Sequence, residues 1–269
     1  MRSLNTRPMS LPRANICCLR RFILLSRFHS AFFHLGKHCS GKYEILKIDE
    51  TREIAYKKTW GSKQPTIVLV PGFMSKMEGI KAQGLERYCR DQNRTFVRFD
   101  IEGLGKSPGD PRTIQMKHWI EDCEHVLHKL TEGPVVLVGY SMGGWGKARL
   151  ESGKIYKFSN QHLEMFLRKD FAEKSRDHEI DLTKPIDTRV PTRILHGMKD
   201  GAVPYTSSLK IAELIQSEDV DVVLRKQELH PFSDPEDLEL IYSNLTQLLR
   251  RYPVNDPRTD YRNSILKFT

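Results

Sequence analysis

From residue 44 the apolar and polar positions change their pattern in a regular way. Glu44–Ile48 and Glu53–Lys58 read as a short hairpin. Thr66–Val70 (TIVLV) is a continuous apolar run, the mark of a strand buried on both faces. Residues 78–92 read as a helix, TFVRFD (95–100) as the next strand, and 113–130 as a second helix closed by Gly133-Pro134. VVLV (135–138) is another buried-strand run, and a helix is expected from Met142. RILHG (193–197) and VDVVLR (220–225) predict two more strands, with helices over 206–217 and 235–250. Strands alternating with helices of this length imply parallel crossovers. The fold class is therefore α/β, with a mostly parallel, doubly wound sheet over residues 44–252. The polar stretch 253–269 predicts a loose C-terminal tail.

Charge changes the picture at the N-terminus. The chain of 269 residues has a formal charge of +9, yet residues 1–43 hold eight basic side chains (Arg2, Arg7, Arg13, Arg20, Arg21, Arg27, Lys37, Lys42) and no acidic one. Without them, 35 basic side chains stand against 34 acidic ones. The body thus lacks the basic balance of a nucleic-acid-binding face, and no nucleic-acid partner is expected. The acid-free, Arg- and Ser-containing leader 1–43 predicts a mitochondrial transit peptide and a matrix location. A secretory signal is the rival, but its apolar core would be FILLSRFHSAFF, which Arg27 interrupts; an untranslocated basic tail is the third reading. No run of 18 apolar residues occurs, so no membrane-spanning helix is expected. Of the cysteines, Cys17, Cys18 and Cys39 fall in the leader. Cys89 and Cys123 have no C-x-x-C spacing, which argues against a disulfide framework or a zinc site.

The chemistry centres on Gly139-Tyr140-Ser141-Met142-Gly143. A serine between two glycines, at the junction of a buried strand and a helix, fits a nucleophile held on a strained turn, with small neighbours letting the two backbones approach. It also fits a plain helix N-cap. A serine esterase needs an acid and then a histidine after the nucleophile. Asp200 lies in the loop after the strand RILHG. His230 is the one histidine of ten that follows Asp200, and it lies in the loop after VDVVLR. Both loops belong to the carboxyl edge of the sheet, as Ser141 does. In this reading Ser141 is the nucleophile, His230 the base and Asp200 the orienting acid; a solvated loop histidine is the alternative. The oxyanion donors would be the backbone N–H groups of Met142 and of Phe73, in Val70-Pro71-Gly72-Phe73. A plain Pro-Gly turn is the bland reading of that loop.

Other signals carry less. Gly105-Lys106-Ser107 echoes a phosphate loop, but Asp100 stands where that motif needs glycine. The segment Gly103-x-Gly105-x-Ser107 reads as a tight turn. His118, His125 and His128, with Asp122 and Cys123, read as a solvated helix face rather than a metal site. No cofactor is expected.

Taken together, VPGF, Asp100-x-Glu-Gly-x-Gly-x-Ser107, GYSMGG, HGMKD and a late histidine resemble the α/β-hydrolase family, in its order. The blocks AYKK (55–58), VPGFMSKMEGIKA (70–82), RFDIEGLGKSPGD (98–110), VGYSMGGW (138–145), RILHGMKDGAVP (193–204) and DVDVVLRK (219–226) are similar to a mitochondrial acyl-protein thioesterase branch of it. The resemblance implies an α/β-hydrolase fold and the triad Ser141, Asp200, His230. It also implies S-acylated proteins or small acyl esters and glucuronides as substrates. There are departures. Leu229 precedes His230 where the branch tends to carry Asp, and Gly201 stands where an acidic residue is common. The family has a helix, a sixth strand and a small cap between GYSMGGW and HGMKD. Here Ser141 and Asp200 are 59 positions apart, and no four consecutive residues between Trp145 and Val190 are apolar. The sixth strand and cap are therefore expected to be shortened or missing. Either the sheet closes up, displacing Asp200 and His230 by about 4.8 Å, or it stays open with two unpaired edges. A catalytically impaired hydrolase-fold binding protein is the alternative function.

Overall fold

A computed structural model describes residues 42–72, 74–141, 156–160, 163–167, 174–175, 178 and 181–253. Five strands form one sheet: β1 (Glu44–Lys47), β2 (Glu53–Thr59), β3 (Lys63–Val70), β4 (Arg94–Phe99) and β5 (Val135–Gly139), in the order β1-β2-β4-β3-β5. β1 and β2 make the expected hairpin and β2 runs antiparallel to β4. β3 lies parallel between β4 and β5. The crossovers are helices α1 (Ile80–Asp91), between β3 and β4, and α2 (Met116–Leu130), between β4 and β5.

Period-two alternation sorts β3 and its neighbours onto two faces. Val68 and Val70, with Val97 and Phe99, pack against Trp119, Ile120, Cys123, Val126 and Leu127 of α2. Ile67 and Leu69, with Phe96, pack on the other face against Ala82, Leu85 and Cys89 of α1 and Leu245 of the last helix. Each Val, Leu, Ile or Phe among them withdrawn from water stabilises the fold by about 1.5–3 kcal/mol. Helices on both faces are what the doubly wound pattern demands.

β8 (Thr192–Gly197) and β9 (Val220–Arg225) form a second, parallel pair, crossed by α3 (Thr206–Leu214). Ile186, Ile211 and Ile215 are buried there against Ile194 and Val220. The final helix, α4 (Pro235–Arg251), starts at a capping box in which Asp234 and Asp237 satisfy each other's backbone N–H, with Pro235 behind the cap. Its Tyr242 stacks on Tyr88 of α1, with ring centroids 5.0 Å apart, and the Tyr88 hydroxyl lies 2.7 Å from Thr246 Oγ1. Through α4 the second pair is fastened to the first sheet.

Of the two arrangements open to a chain without a sixth strand, the described residues take the open one. Among the described residues β5 pairs only with β3 and β8 only with β9, so the described sheet is divided between β5 and β8. The side chains of Val135–Val138 are half-buried, whereas residues 65–70 of β3 are buried throughout. Between the halves in sequence lies a hairpin that the apolar pattern does not predict, β6 (Tyr156–Asn160) antiparallel to β7 (Leu163–Leu167). A search for runs of four apolar residues finds strands buried on both faces, whereas antiparallel hairpins need only alternation. The helix expected from Met142, most of the leader and the tail beyond Pro253 lie outside the described residues.

Candidate active site

Ser141 stands just past the end of β5 with φ of 34°, in the left-handed region. A side-chain-bearing residue there costs about 1–2 kcal/mol, as a nucleophile turn does. Gly72, after β3, packs on this turn so closely that a Cβ would sit 2.4 Å from the Ser141 carbonyl oxygen and 2.6 Å from that of Tyr140. Only glycine fits. The loop expected to carry an oxyanion donor therefore lies against the serine. The proposed donors themselves, Phe73 and Met142, lie outside the described residues.

Asp200 and His230 come from the second strand pair. The Met198 N–H donates to the Arg225 carbonyl (2.8 Å) and the Lys199 N–H to that of Glu228 (2.9 Å), which stitches the loop after β8 to the loop after β9. Asp200 Oδ1 accepts the N–H groups of Ala202 and Val203, both at 2.8 Å. Its Oδ2 lies 2.8 Å from His230 Nδ1, and His230 Nε2 lies 2.5 Å from Ser141 Oγ. An ionised carboxylate only accepts, so Nδ1 carries the proton. That leaves the Nε2 lone pair facing the serine hydroxyl. Burial works to raise the Asp200 carboxyl, but the Val203 N–H, the His230 ring and the Ala202 N–H outweigh it and hold the group below the usual range. The Asp200 side chain is 7% exposed and that of His230 is 33% exposed, so the imidazole stays open to water while its anchor is shielded. The two departures do not disturb this contact. Leu229 is exposed, and a Cβ at Gly201 would meet nothing within 4 Å.

One member of this cluster was not singled out from the sequence. His196, in the same HGMKD block, has Nε2 3.1 Å from the Val203 carbonyl and 3.4 Å from Asp200 Oδ2. Its Nδ1 lies 2.7 Å from Ser208 Oγ. Since Val203 offers an acceptor, Nε2 carries the proton and points it toward the carboxylate as well. Asp200 is thus surrounded by donors. The signal available in the sequence was the position of His196 at the end of an apolar strand, four residues before the acid.

The Asp100–Ser107 motif is structural. Asp100 accepts the N–H groups of Met77 (2.5 Å) and Lys106 (2.8 Å), and Ser107 Oγ donates to the Asp100 carbonyl. Gly105 has φ of 59°, and its missing Cβ would fall 2.1 Å from the Asp100 carboxylate, so the tight-turn reading holds. The α2 histidines need a partial correction. His128 is exposed as expected, but Asp122 and Cys123 are buried. Asp122 accepts the Glu102 N–H (2.9 Å) and lies 3.8 Å from Arg52, because this part of α2 caps the Asp100–Ser107 loop. Among the described residues the carboxylates that come close enough to hold a cation are Glu228, Asp234 and Asp237, beside the His230 loop. Asp234 and Asp237 already serve as the α4 cap. No helix among the described residues is long and apolar enough to cross a membrane.

Comparison with known proteins places the fold in a family. Residues 67–164 match the model of the alpha/beta hydrolase family. The chain is 32% identical over 243 residues to the mouse protein named palmitoyl-protein thioesterase ABHD10, mitochondrial, covering 76% of this chain and 82% of the mouse one. The chain belongs to the α/β-hydrolase family, in the branch of these ABHD10 thioesterases. The solved structure of mouse alpha/beta hydrolase domain-containing protein 10 superposes with a TM-score of 0.71 at 30% identity, over 78% of this chain and 99% of that one. Est1E from Butyrivibrio proteoclasticus, solved with ferulic acid bound, shares the fold at 16% identity with a TM-score of 0.63, over 78% and 98%. The 243 residues matched in the mouse sequence exceed 76% of a 269-residue chain. The relative therefore carries positions with no counterpart here, in keeping with the short interval between Ser141 and Asp200.

Proposed function

We propose that the chain is a serine hydrolase of acyl thioesters and esters, working through Ser141, His230 and Asp200. The observation that carries this is the unbroken relay Ser141 Oγ, His230 Nε2, His230 Nδ1, Asp200 Oδ2, with links of 2.5 and 2.8 Å. His230 Nε2 takes the Ser141 proton as Oγ attacks the acyl carbonyl carbon. Asp200 stabilises the imidazolium and keeps its orientation. The tetrahedral oxyanion is held by backbone N–H groups, assigned to Phe73 and Met142. Collapse breaks the carbon–sulfur or carbon–oxygen bond, and the leaving thiol or alcohol takes the proton back from Nε2. Water, deprotonated by His230, then attacks the acyl-enzyme, releasing the carboxylic acid and restoring the serine.

The relatives' name, palmitoyl-protein thioesterase, directs the substrate assignment to S-acylated proteins; small acyl esters and glucuronides are the further substrates that the family resemblance implies. Their mitochondrial designation and the acid-free leader 1–43 support import into the matrix. A fluorescent fusion of residues 1–43 tests the import. Diffuse cytosolic signal refutes it.

The hydrolase reading is tested with a fluorophosphonate probe and an S-palmitoyl peptide. Labelling and thiol release by the wild type, both lost in Ser141→Ala, are expected. A folded wild type that neither labels nor hydrolyses establishes the second reading, an impaired hydrolase-fold binding protein. The divided sheet is the observation that favours that second reading.

A further inference from the structure

The contact between Ser141 and His230 joins parts of the molecule that no strand pairing joins among the described residues. Ser141 follows β5 of the five-stranded sheet, while His230 follows β9 of the separate pair. One side chain reaches both approaches to that contact. Lys81, in the first turn of α1, donates its Nζ to the carbonyl of Pro231, the residue after His230. The same Nζ lies over the ring of Tyr140, the residue before Ser141, 4.1 Å from its centroid. The Asp237 carboxylate of α4 is the charge that favours its protonation.

We propose that Lys81 is a positioning residue, whose ammonium clamps the histidine loop to the nucleophile turn across the division in the sheet. The proposal deepens the hydrolase reading and rests on it. Lys81 touches neither reacting group and acts through the chain neighbours of both. The clamp needs charge: an ammonium is held by the negative face of the aromatic ring and donates a charge-assisted hydrogen bond to the carbonyl, and a neutral amine loses both advantages.

The charge is held against a penalty. Burial pushes the Lys81 amine down from 10.5 to about 8, with Asp237 partly opposing. The groups that act on it are the Asp237 carboxylate of α4, the Pro231 carbonyl in the loop it holds, and the Tyr140 ring on the β5 side. Burial raises the Tyr140 hydroxyl above its ordinary value, so its ring stays neutral as Lys81 titrates. Between pH 8 and 10.5 the unfolded chain binds more protons at this position than the folded one. Folding stability from this group therefore rises with pH in that window, while the clamp is released. Function and stability move in opposite directions, and this separates positioning from a merely structural role.

The test uses the full chain with Lys81→Gln and Lys81→Arg. Three quantities are read: turnover of a p-nitrophenyl acyl ester across alkaline pH, amide exchange in residues 226–234, and the thermal midpoint at pH 7. The wild type should lose kcat as pH rises through about 8, with its 226–234 amides exchanging faster than intrinsic chemistry predicts. Lys81→Arg, which stays charged, should carry activity past that limb. Lys81→Gln should lose about ten-fold in kcat with KM little changed, a loss equal to 1.4 kcal/mol of barrier, and lose the limb. Its 226–234 amides should exchange faster at pH 7, and its midpoint should stay level or rise. An unaltered alkaline limb, unaltered exchange, or a midpoint that falls in step with activity in Lys81→Gln overturns the clamp. If the wild type has no turnover, the hydrolase reading fails, while exchange and midpoint still decide the clamp.

Discussion

Asp200→Asn is the substitution for which the geometry predicts most. Every polar neighbour of this carboxylate is a donor: the Ala202 and Val203 N–H groups on Oδ1, and the His230 Nδ1 and His196 Nε2 groups near Oδ2. Asparagine keeps the size but has one acceptor and an NH2. The two backbone donors at 2.8 Å cannot rotate away, so they claim the amide oxygen. The NH2 then faces His230. Two outcomes compete. If both rings keep their protons, donors oppose donors in a site 7% exposed, and leaving such groups unmade costs about 1–3 kcal/mol each. His196 cannot escape by moving its proton, because Val203 offers it a carbonyl. His230 can, since its other nitrogen meets a hydroxyl that also accepts.

The cheaper response is therefore a switch of the His230 proton from Nδ1 to Nε2. That removes the lone pair that should receive the Ser141 proton. The expected result is a loss of about 10⁴ in kcat, or 5.5 kcal/mol of barrier, the scale seen when a triad acid forces the wrong tautomer. Stability should fall by only about 1–3 kcal/mol, from the residual conflict at His196. Initial-rate kinetics on an acyl thioester, the rate of fluorophosphonate labelling and a urea melt measure the three quantities. A variant that folds like the wild type and loses less than ten-fold in kcat would refute both the tautomer argument and the place of Asp200 in the relay.

Two further substitutions address the support around the site. Gly72→Ala places a Cβ 2.4 and 2.6 Å from backbone oxygens that cannot yield. Stability should drop by about 1–3 kcal/mol and turnover by about 10²-fold as the serine turn is displaced; a melt and a kcat within two-fold of wild type would show that the close approach is relieved elsewhere. Asp122→Asn concerns pH: burial pushes this carboxyl up from 3.8 to about 7, against the Glu102 N–H and Arg52, which lower it. The folded chain then binds more protons than the unfolded one between those two values, so wild-type stability from this group falls as pH rises through the window. Relative to wild type, the variant should be level near pH 4 and more stable by about 4 kcal/mol at pH 8; a stability difference that does not vary with pH would remove Asp122 as its cause.

Most of the main-sheet elements were legible because they are buried. Thr66–Val70 is an apolar run packed against helices on both faces, and such runs have few other readings; VVLV is its half-buried apolar neighbour, and TFVRFD carries Phe96 onto one face and Val97 and Phe99 onto the other. That Ser141, Asp200 and His230 meet was legible for a different reason. In a parallel sheet, chemistry collects in the loops at one edge, so the order serine, acid, histidine after successive strands nearly determines which side chains meet. Lys81 was not legible, and His196 only by its place at the end of an apolar strand four residues before Asp200, since neither position carries a chemical requirement in the motifs. Their roles depend on what comes near in space: a carbonyl and a carboxylate for His196, a ring and a carbonyl for Lys81. Asp122 was misread because a carboxylate among histidines on a helix suggests solvent, while the Glu102 N–H and Arg52 that accompany its burial lie far away in sequence.

The divided sheet shows how far the site depends on strand pairing. Closing the gap would have carried Asp200 and His230 sideways by about one strand spacing, 4.8 Å, more than any hydrogen bond in the relay can absorb. Instead the relay is kept at 2.5 and 2.8 Å while β5 and β8 do not pair. The acid and the base share one strand pair and are stitched together by backbone bonds of their own loops, so their contact is indifferent to the division. The serine alone is exposed to it. Its distance to His230 is set by the seat of α4 on α1, through Tyr242 on Tyr88, and by Lys81 at the mouth of the gap. Perturbing the division should therefore act first on proton transfer from Ser141, and only afterwards on the pairing of Asp200 with His230.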